Sequence, residues 1–383
     1  MILSNLILAA GSRAEPQSIV FRGRQIMEIT EKQYPVGIDL GGALALPGLI
    51  NSHDHLDFNL FPLLANRRYS NYHEWGRDIQ VNNRDMIDAV LKIPESIRVQ
   101  WGIYKNLLHG FTTVVNHGKQ LSIKDPLIHV YQQSQSIHSL GFEERWYRQL
   151  LNIRQYQKRV AIHVGEGVDE LAAAEIDTLI RGNRLKRKLI GIHGVAMNTR
   201  QAAAFRALVW CPASNQNLFG KTAPIASLKN HTTILFGTDS TLTAPWDLCR
   251  QISTALAMNA LTATEMLEAL TINAATAWKI KNRGLLAEGK KADMIFVRKK
   301  SVAEKEFLRS YQADDILLVI AEGRVVLFDE ILSSQFFPKI VVMDAFTRIQ
   351  TGRHFKFVYG NLSKLAEETY SYNGTIPIPV NIA

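Results

Sequence analysis

One phrase recurs through the middle of the chain and limits the folds open to it. Six short apolar runs each turn polar at the carboxyl end: GLINSHDH (48–55), TTVVNHG (112–118), VAIHVGEG (160–167), LIGIHGVA (189–196), ALVWCPAS (207–214) and TILFGTDS (233–240). Helical text separates several of them: RDMIDAVLKIPESIRVQWGIYKNLLHG (84–110), VDELAAAEIDTLIRGN (168–183) and TRQAAAFRA (199–207). Strands alternating with helices imply a parallel sheet. In a parallel barrel all strands point the same way, so their polar ends gather on one rim, where barrel enzymes place their sites. A closed barrel needs eight strands, so residues 119–159 must supply two more. IHVYQQ (128–133) and SIHSL (136–140) are the candidates. That interval is short for two full strand–helix units, and a helix is expected to be missing or shrunken there.

The flanks read differently. Residues 1–45 hold short β-like runs, LILAA, SIVFRGRQIMEI and GIDLGGALAL, without helices between them. The same grammar returns past Gly284 in GLLAEGKKADMIFVRKK and DILLVIAEGRVVLFDE. The expected fold is therefore α/β: a distorted (β/α)8 TIM barrel over 48–280, beside a small β-sandwich formed by 1–47 plus 281–330. Residues 246–280 read as helices, with Thr262 or Thr264 as a cap and Glu265 in the first turn. The extension 331–383 is unassigned, although VVMDAFTRI and RHFKFVYG are strand-like and LSKLAEETYSY is helix-like.

The chemistry sits at the strand ends. His53 and His55 are two apart on a strand and face the same way. His163, His193 and Asp239 end later strands. Alone, each histidine reads as a satisfied core residue and Asp239 as a turn residue. Together, three imidazoles and a carboxylate suit Zn2+ or Fe2+ with one position open to water. Such a metal lowers the pKa of bound water to near neutrality. Glu166, three residues after His163, can stand beside that water, take its proton and return it to a leaving nitrogen.

These residues carry a resemblance. LPGLINSHDHL, GFTTVV (110–115), HVGE, IGIHG, CPASN (211–215), FGTDS, TINAATAW (271–278), GLLAEGKKADMIFV (284–297) and AEGRVV (321–326) resemble the amidohydrolase superfamily, in order over about 1–328. HVGE is similar to the His-x-x-Glu of the mononuclear branch, which includes cytosine and guanine deaminases and triazine hydrolases. The resemblance implies one divalent metal ion per chain, zinc expected and iron left open, bound by His53, His55, His163 and Asp239. It implies Glu166 as proton shuttle, His193 as the residue that orients the hydroxide and polarises substrate, and Asp239 as a further proton acceptor. Metal-bound hydroxide would hydrolyse a C–N bond of a small molecule, most readily by deaminating an amino-substituted N-heterocycle. Hydrolysis of an amide, or loss of another leaving group, is the alternative. The chain departs from the family pattern in the compressed 119–159 region and in Asn116 and His117 at the end of the second strand.

The segment DFNLFPLLANRRYSNYHEWGRDI corresponds to a loop that covers the pocket in such proteins. Asn59, Tyr72, Trp75 and Arg77 are candidates for substrate contact, joined by His117 and by Ser214 and Asn215 of CPASN. Arg67 and Arg68 could meet a carboxylate or phosphate; Asn273 and Trp278 are expected to brace the last helix. The net charge of +9 falls in scattered short runs, such as RGNRLKRK at 181–188, so a solvated face is expected rather than a nucleic-acid site. Two cysteines cannot build a disulfide framework and fit a reducing compartment. No stretch approaches the ~18 apolar residues that span a bilayer. The expectation is a cytoplasmic enzyme with a small-molecule substrate, homo-oligomerisation left open. A barrel without catalysis that serves as an assembly partner would have lost some of these strand-end residues, and none is lost.

Overall fold

Through the middle of the chain, strand and helix alternate from Leu49 onward except between Phe111 and Ile137, where three strands follow one another without a helix. The computed structural model describes residues 1–9, 15–32, 34, 36–300, 304–337 and 343–383. The end of LILAA at Ala10 and the start of VVMDAFTRI at Val341 and Val342 lie outside the described residues. Three strands, Leu49–Asp54, Phe111–Asn116 and His129–Tyr131, form one parallel sheet. Five more, Gln135–Ile137, Val160–Val164, Leu189–His193, Ala207–Trp210 and Thr233–Phe236, form a second. Most of these strands are buried on both faces, which is why they read as continuous apolar runs rather than alternating ones.

The two strands expected between 119 and 159 are His129–Tyr131 and Gln135–Ile137. Only Gln132, Gln133 and Ser134 join them. Neighbouring parallel strands need a crossover of about a dozen residues or more. These two accordingly pair outward, with Phe111–Asn116 and Val160–Val164, and the break between the sheets falls between them. The helix that follows has shrunk to Trp146–Leu150. The other break, between Thr233–Phe236 and Leu49–Asp54, is bridged where Thr238 N and Asp239 N both donate to His53 O at 3.1 Å. The arrangement is TIM-barrel-like, in two parallel sheets rather than one closed ring.

The two flanking segments pair with each other. Their strands lie in one ten-stranded sheet. Ile38–Pro47 is its hinge: it runs parallel to Ile2–Leu8 on one side and antiparallel to Met294–Val297 on the other. Ile316–Ala321 and Arg324–Asp329 continue the sheet. Two strands of the 331–383 extension, His354–Tyr359 and Phe346–Thr351, carry it further, and Asn381–Ile382 ends it. The helix Leu362–Tyr372 then packs back on the barrel, where Trp101 Nε1 donates to Thr369 Oγ1 at 2.9 Å.

Three helical expectations change for local reasons. The long helix at 84–110 is two, Arg84–Leu91 and Glu95–Leu107, because Pro94 lacks an N–H and restricts the residue before it. The covering loop contains a helix, Tyr72–Asn82, capped by Asn71 Oδ1 accepting from Glu74 N at 3.0 Å. TRQAAAFRA holds a single turn, Thr199–Ala202. Thr262 caps Ala263–Ala269 in a capping box with Glu265. No helix among the described residues is long and apolar enough to cross a membrane.

Helix Glu95–Leu107 backs directly onto the turn that follows His55. A Cβ at Gly102 would lie 2.2 Å from the Leu56 carbonyl oxygen, a backbone atom that cannot swing aside. Gly102→Ala is therefore expected to destabilise the fold by about 1–3 kcal/mol, the usual range for overpacking a core. Urea unfolding checks this, and an unchanged midpoint would show that the helix does not set the height of the turn.

Candidate metal centre

Each strand-end residue is placed by backbone geometry. His53 and His55 leave Leu49–Asp54 on one face, as the two-residue period requires. His163 lies within Val160–Val164, and His193 ends Leu189–His193 with φ of 73°. Asp239 follows Thr233–Phe236 with φ of 56°. Left-handed backbone at a side-chain-bearing residue costs of order 1–3 kcal/mol and persists where the surroundings impose it.

The five side chains converge. His53 Nε2 lies 3.2 Å from His163 Nε2 and 3.7 Å from Asp239 Oδ1. His55 Nε2 is 3.9 Å from Asp239 Oδ1, and His193 Nε2 is 4.0 Å from Asp239 Oδ2. His53, His55 and His163 form one group with ligating atoms within 4.8 Å of one another; His53, His193 and Asp239 form a second. Donors ~2.0–2.2 Å from an ion in tetrahedral array stand roughly 3.3–3.6 Å apart. The observed spacings bracket that value, and the donor set suits zinc or iron. His163 Nδ1 is buried without a hydrogen-bond partner.

Burial decides the charges. It pushes His53 down to about 3 and His163 well below the ordinary histidine value, with neighbouring imidazoles reinforcing the effect at His163. Burial works against ionisation of Asp239, but the adjoining His53 ring holds its carboxyl well below the usual range. Ser214 Oγ and Thr243 Oγ1 donate to Asp239 Oδ2 at 2.8 Å, and Ser240 N to Oδ1 at 2.8 Å, which also favours the anion. Glu166, 3.6 Å from His193 Nε2, goes the other way: burial, then the charge of Asp239, raise it well above the carboxylate range. Burial thus favours the neutral form at His53, His163 and Glu166 and leaves Asp239 as the anion of the centre.

His193 has a defined tautomer. Asn215 Nδ2 donates to Thr222 Oγ1 at 3.2 Å, which turns Asn215 Oδ1 toward His193 Nδ1 at 2.8 Å. Nδ1 therefore carries the proton and Nε2 presents a lone pair to the centre.

The centre floors a cavity of about 800 Å3. Of the proposed substrate contacts, Tyr72, Trp75 and Arg77 line it. Asn59 does not: it is buried, donates to Asp54 Oδ1 at 2.9 Å and accepts from Lys105 Nζ at 2.6 Å. Asn215 holds His193 instead of facing the cavity. His117 is buried behind the centre, its ring 4.5 Å from that of His163 and both its nitrogens unpartnered. Arg67 pairs with Glu74 at 2.7 Å and Arg68 donates to Gln216 O and Asn217 O, so neither waits for an anion. Trp278 is fully buried and its carbonyl accepts from Tyr131 Oη at 2.8 Å, while Asn273 lines a surface cleft away from the centre.

Two contributors escaped the sequence reading. His138 lines the cavity one residue past Gln135–Ile137; the strand-end pattern was there, on a strand too short to show a period. Lys105 is fully buried beneath the centre, 3.2 Å from Asp54 Oδ2, and donates to Asp239 O at 2.8 Å. Only its place on the buried face of helix Glu95–Leu107 could have hinted at it.

The cavity wall is tied to the floor. Tyr72 N donates to Glu166 O at 3.0 Å, and Tyr72 Oη donates to Glu175 Oε1 at 2.9 Å. Burial pushes Glu175 up to about 7 from an ordinary 4.5, against hydrogen bonds from Tyr72 and Leu140 that lower it. Between those values the folded chain keeps a proton that the unfolded chain has released, so this group's contribution to stability falls as pH rises through the window. Glu175→Gln keeps the acceptor and removes the titration. The stability of wild type relative to the variant should drop by roughly 2–3 kcal/mol between pH 5 and 8. Urea titrations at the two pH values test the sign; a difference that is flat or grows with pH would refute it.

Comparison with known proteins agrees with this geometry. A profile of the amidohydrolase family matches residues 138–326. The 5-methylthioadenosine/S-adenosylhomocysteine deaminase of Pyrococcus furiosus is 22% identical over 360 residues, covering 76% of this chain and 85% of that protein. A zinc-bound adenosine deaminase from Xanthomonas campestris superposes with a TM-score of 0.71 at 16% identity, covering 98% of each chain. A zinc complex of atrazine chlorohydrolase from Arthrobacter aurescens superposes with a TM-score of 0.67 at 17% identity, covering 98% of this chain and 100% of the other. At such identities the superpositions establish the fold.

Proposed function

The chain belongs to the amidohydrolase superfamily, and from that premise we propose that it is a hydrolase that deaminates an amino-substituted N-heterocycle. The observation that carries the reading is the convergence, at the floor of a cavity, of four imidazoles and the Asp239 carboxylate, with the buried carboxyl of Glu166 3.6 Å from His193 Nε2. The deaminase names of similar proteins support the reaction type, and atrazine chlorohydrolase supports a ring substrate. His53, His55, His163 and Asp239 would hold one divalent ion, with zinc favoured by the zinc-bound neighbours. When bound, that ion supplies Lewis acidity and a water acidified to near neutrality.

The protein's own groups do the rest. Glu166, protonated at rest, donates a hydrogen bond to a ring nitrogen and fixes the heterocycle's orientation. His193, with Nδ1–H committed to Asn215, accepts a hydrogen bond from the reacting water at Nε2. Water adds to the amino-bearing carbon. Its protons pass by way of Glu166 and Asp239 to the ring and to the departing nitrogen. The C–N bond breaks, ammonia leaves and the product carries a carbonyl. The apolar walls above the floor limit the bulk water that reaches these transfers.

Metal analysis combined with ammonia assays tests the reading. Wild type is expected to hold about one zinc or iron per chain, and His163→Ala to lose it. Glu166→Gln should keep the metal and lose ~10²–10⁴-fold in kcat, the range for a general acid–base group. Metal without ammonia from any amino-heterocycle would move the reaction to amides or other leaving groups. A wild type that takes up no metal on reconstitution would sink catalysis and favour the assembly-partner role.

A further inference from the structure

The cavity is two-faced. Its floor carries His55, His138, His163, Glu166, His193 and Asp239. Its walls carry Phe58, Phe61, Trp75, Ile79, Ile87 and Leu91. Pockets of ~300–1,000 Å3 enclose drug-sized ligands, and at about 800 Å3 this one holds far more than a single small ring.

The polar atoms of the walls are turned away from the space. Trp75 Nε1 donates to Leu64 O at 2.8 Å, leaving the indole face to the cavity. Tyr72 Oη donates to Glu175 and accepts from Gly141 N at 3.0 Å. Thr243 Oγ1 is held by Asp239. Arg77 and Gln80 are exposed at the rim, outside the apolar section. The apolar surface continues outward, with Val81 78% and Leu91 49% exposed among the lining residues. A sugar placed in the apolar section would hold its hydroxyls away from the polar side chains of rim and floor, and each hydroxyl left unbonded weakens binding by about 5- to 150-fold.

We propose that the substrate is an amino-heterocycle bearing a bulky apolar substituent, alkyl or aryl, rather than a nucleoside. The ring lies against the floor and the substituent fills the chamber between Phe58, Trp75 and Leu91. This specificity rests on the deaminase reading for its chemistry, whereas the chamber itself can be measured by binding alone.

The test uses the zinc-loaded full chain and two scaffolds, 9-alkyladenines and 1-alkylcytosines, with methyl, propyl, hexyl and benzyl substituents. Adenosine and cytidine run beside them. Ammonia release gives kcat/KM, and calorimetry with the matching rings that lack the amino group gives affinity without turnover. On at least one scaffold, kcat/KM and affinity are expected to rise by about fourfold for each methylene buried. The nucleoside should fall at least fivefold below the propyl compound. Leu91→Glu, at a half-exposed position that the fold tolerates, should lower the hexyl-to-methyl ratio. Affinity that rises along the series without any ammonia would overturn the deaminase reading and keep the chamber. Ammonia from all compounds with no dependence on the substituent, or with the nucleoside fastest, would overturn the chamber and keep the deaminase reading. Neither binding nor turnover on both scaffolds would overturn the two together.

Discussion

Two backbone N–H groups, those of Thr238 and Asp239, share the carbonyl of His53. Much else depends on that contact, because it joins the last barrel strand to the first and sets the two ends of the metal centre against each other. The approach is close: a Cβ at Gly237 would stand 2.8 Å from the Cβ of His53. Only glycine leaves room there. Beneath the contact, Lys105 reaches the carbonyl of Asp239 and the carboxylate of Asp54, the residue between the two histidines. Asn51 Nδ2 completes the link, donating to Thr238 Oγ1 at 2.7 Å. The seam of the barrel and the alignment of its ligands are therefore one structure. A buried cation and anion contribute little net stability when paired, but either one left alone is strongly destabilising. That asymmetry makes the network a device for position more than for strength.

The same burial gives neighbouring groups different chemical roles. Imidazoles are neutral when charged forms are desolvated, which is the state in which they can ligate a metal. Asp239 keeps its charge chiefly through the His53 ring beside it, with Ser214, Thr243 and Ser240 also donating to its oxygens. Glu166 shows no such donor among the described residues, and burial, then that nearby charge, raise its carboxyl well above the usual range. Two carboxyls in one pocket are thus driven in opposite directions by their surroundings, as the proposed roles of ligand and acid require. Nothing in their residue types distinguishes them.

What the sequence disclosed followed from period and polarity. A two-residue period put His53 and His55 on one face, and polar ends on apolar runs marked His163, His193 and Asp239. The same logic could not reach His138, because Gln135–Ile137 is three residues long and shows no period. It could not pair Asp54 with Lys105, since a helix face announces burial but not the partner 51 residues away. Asn59 and Asn215 were recognisable as polar groups near the centre. Whether an amide faces the ligand or holds its neighbour depends on rotamers that only the folded chain fixes. Strand text likewise does not name its partners: that the flanking runs join in one ten-stranded ladder with Ile38–Pro47 between them could not be read from the runs themselves. The break at Pro94 was legible in principle, but the apolar period on either side of it concealed two helices as one.

The wall and the acid are a further case of shared structure. The helix Tyr72–Asn82 supplies Tyr72, Trp75, Gly76, Arg77, Ile79 and Gln80 to the cavity. Its first turn is stitched to the loop that bears Glu166: Tyr72 N to Glu166 O, Val168 N to Ser70 O at 2.7 Å, and Asn71 Nδ2 to Asp169 Oδ2 at 2.5 Å. A gate swinging at this edge would pull on the backbone of the proton carrier. The helix is thus better described as a fixed wall at its amino end, while Asn82 and Asn83 at its far end are exposed or half-exposed at the surface. On the proposed function, entry past Val81 and Leu91 would leave Glu166 undisturbed, with the acid in place before the ring arrives. Preorganisation of this kind lets the charge arrangement at the floor act on the transition state without first being assembled.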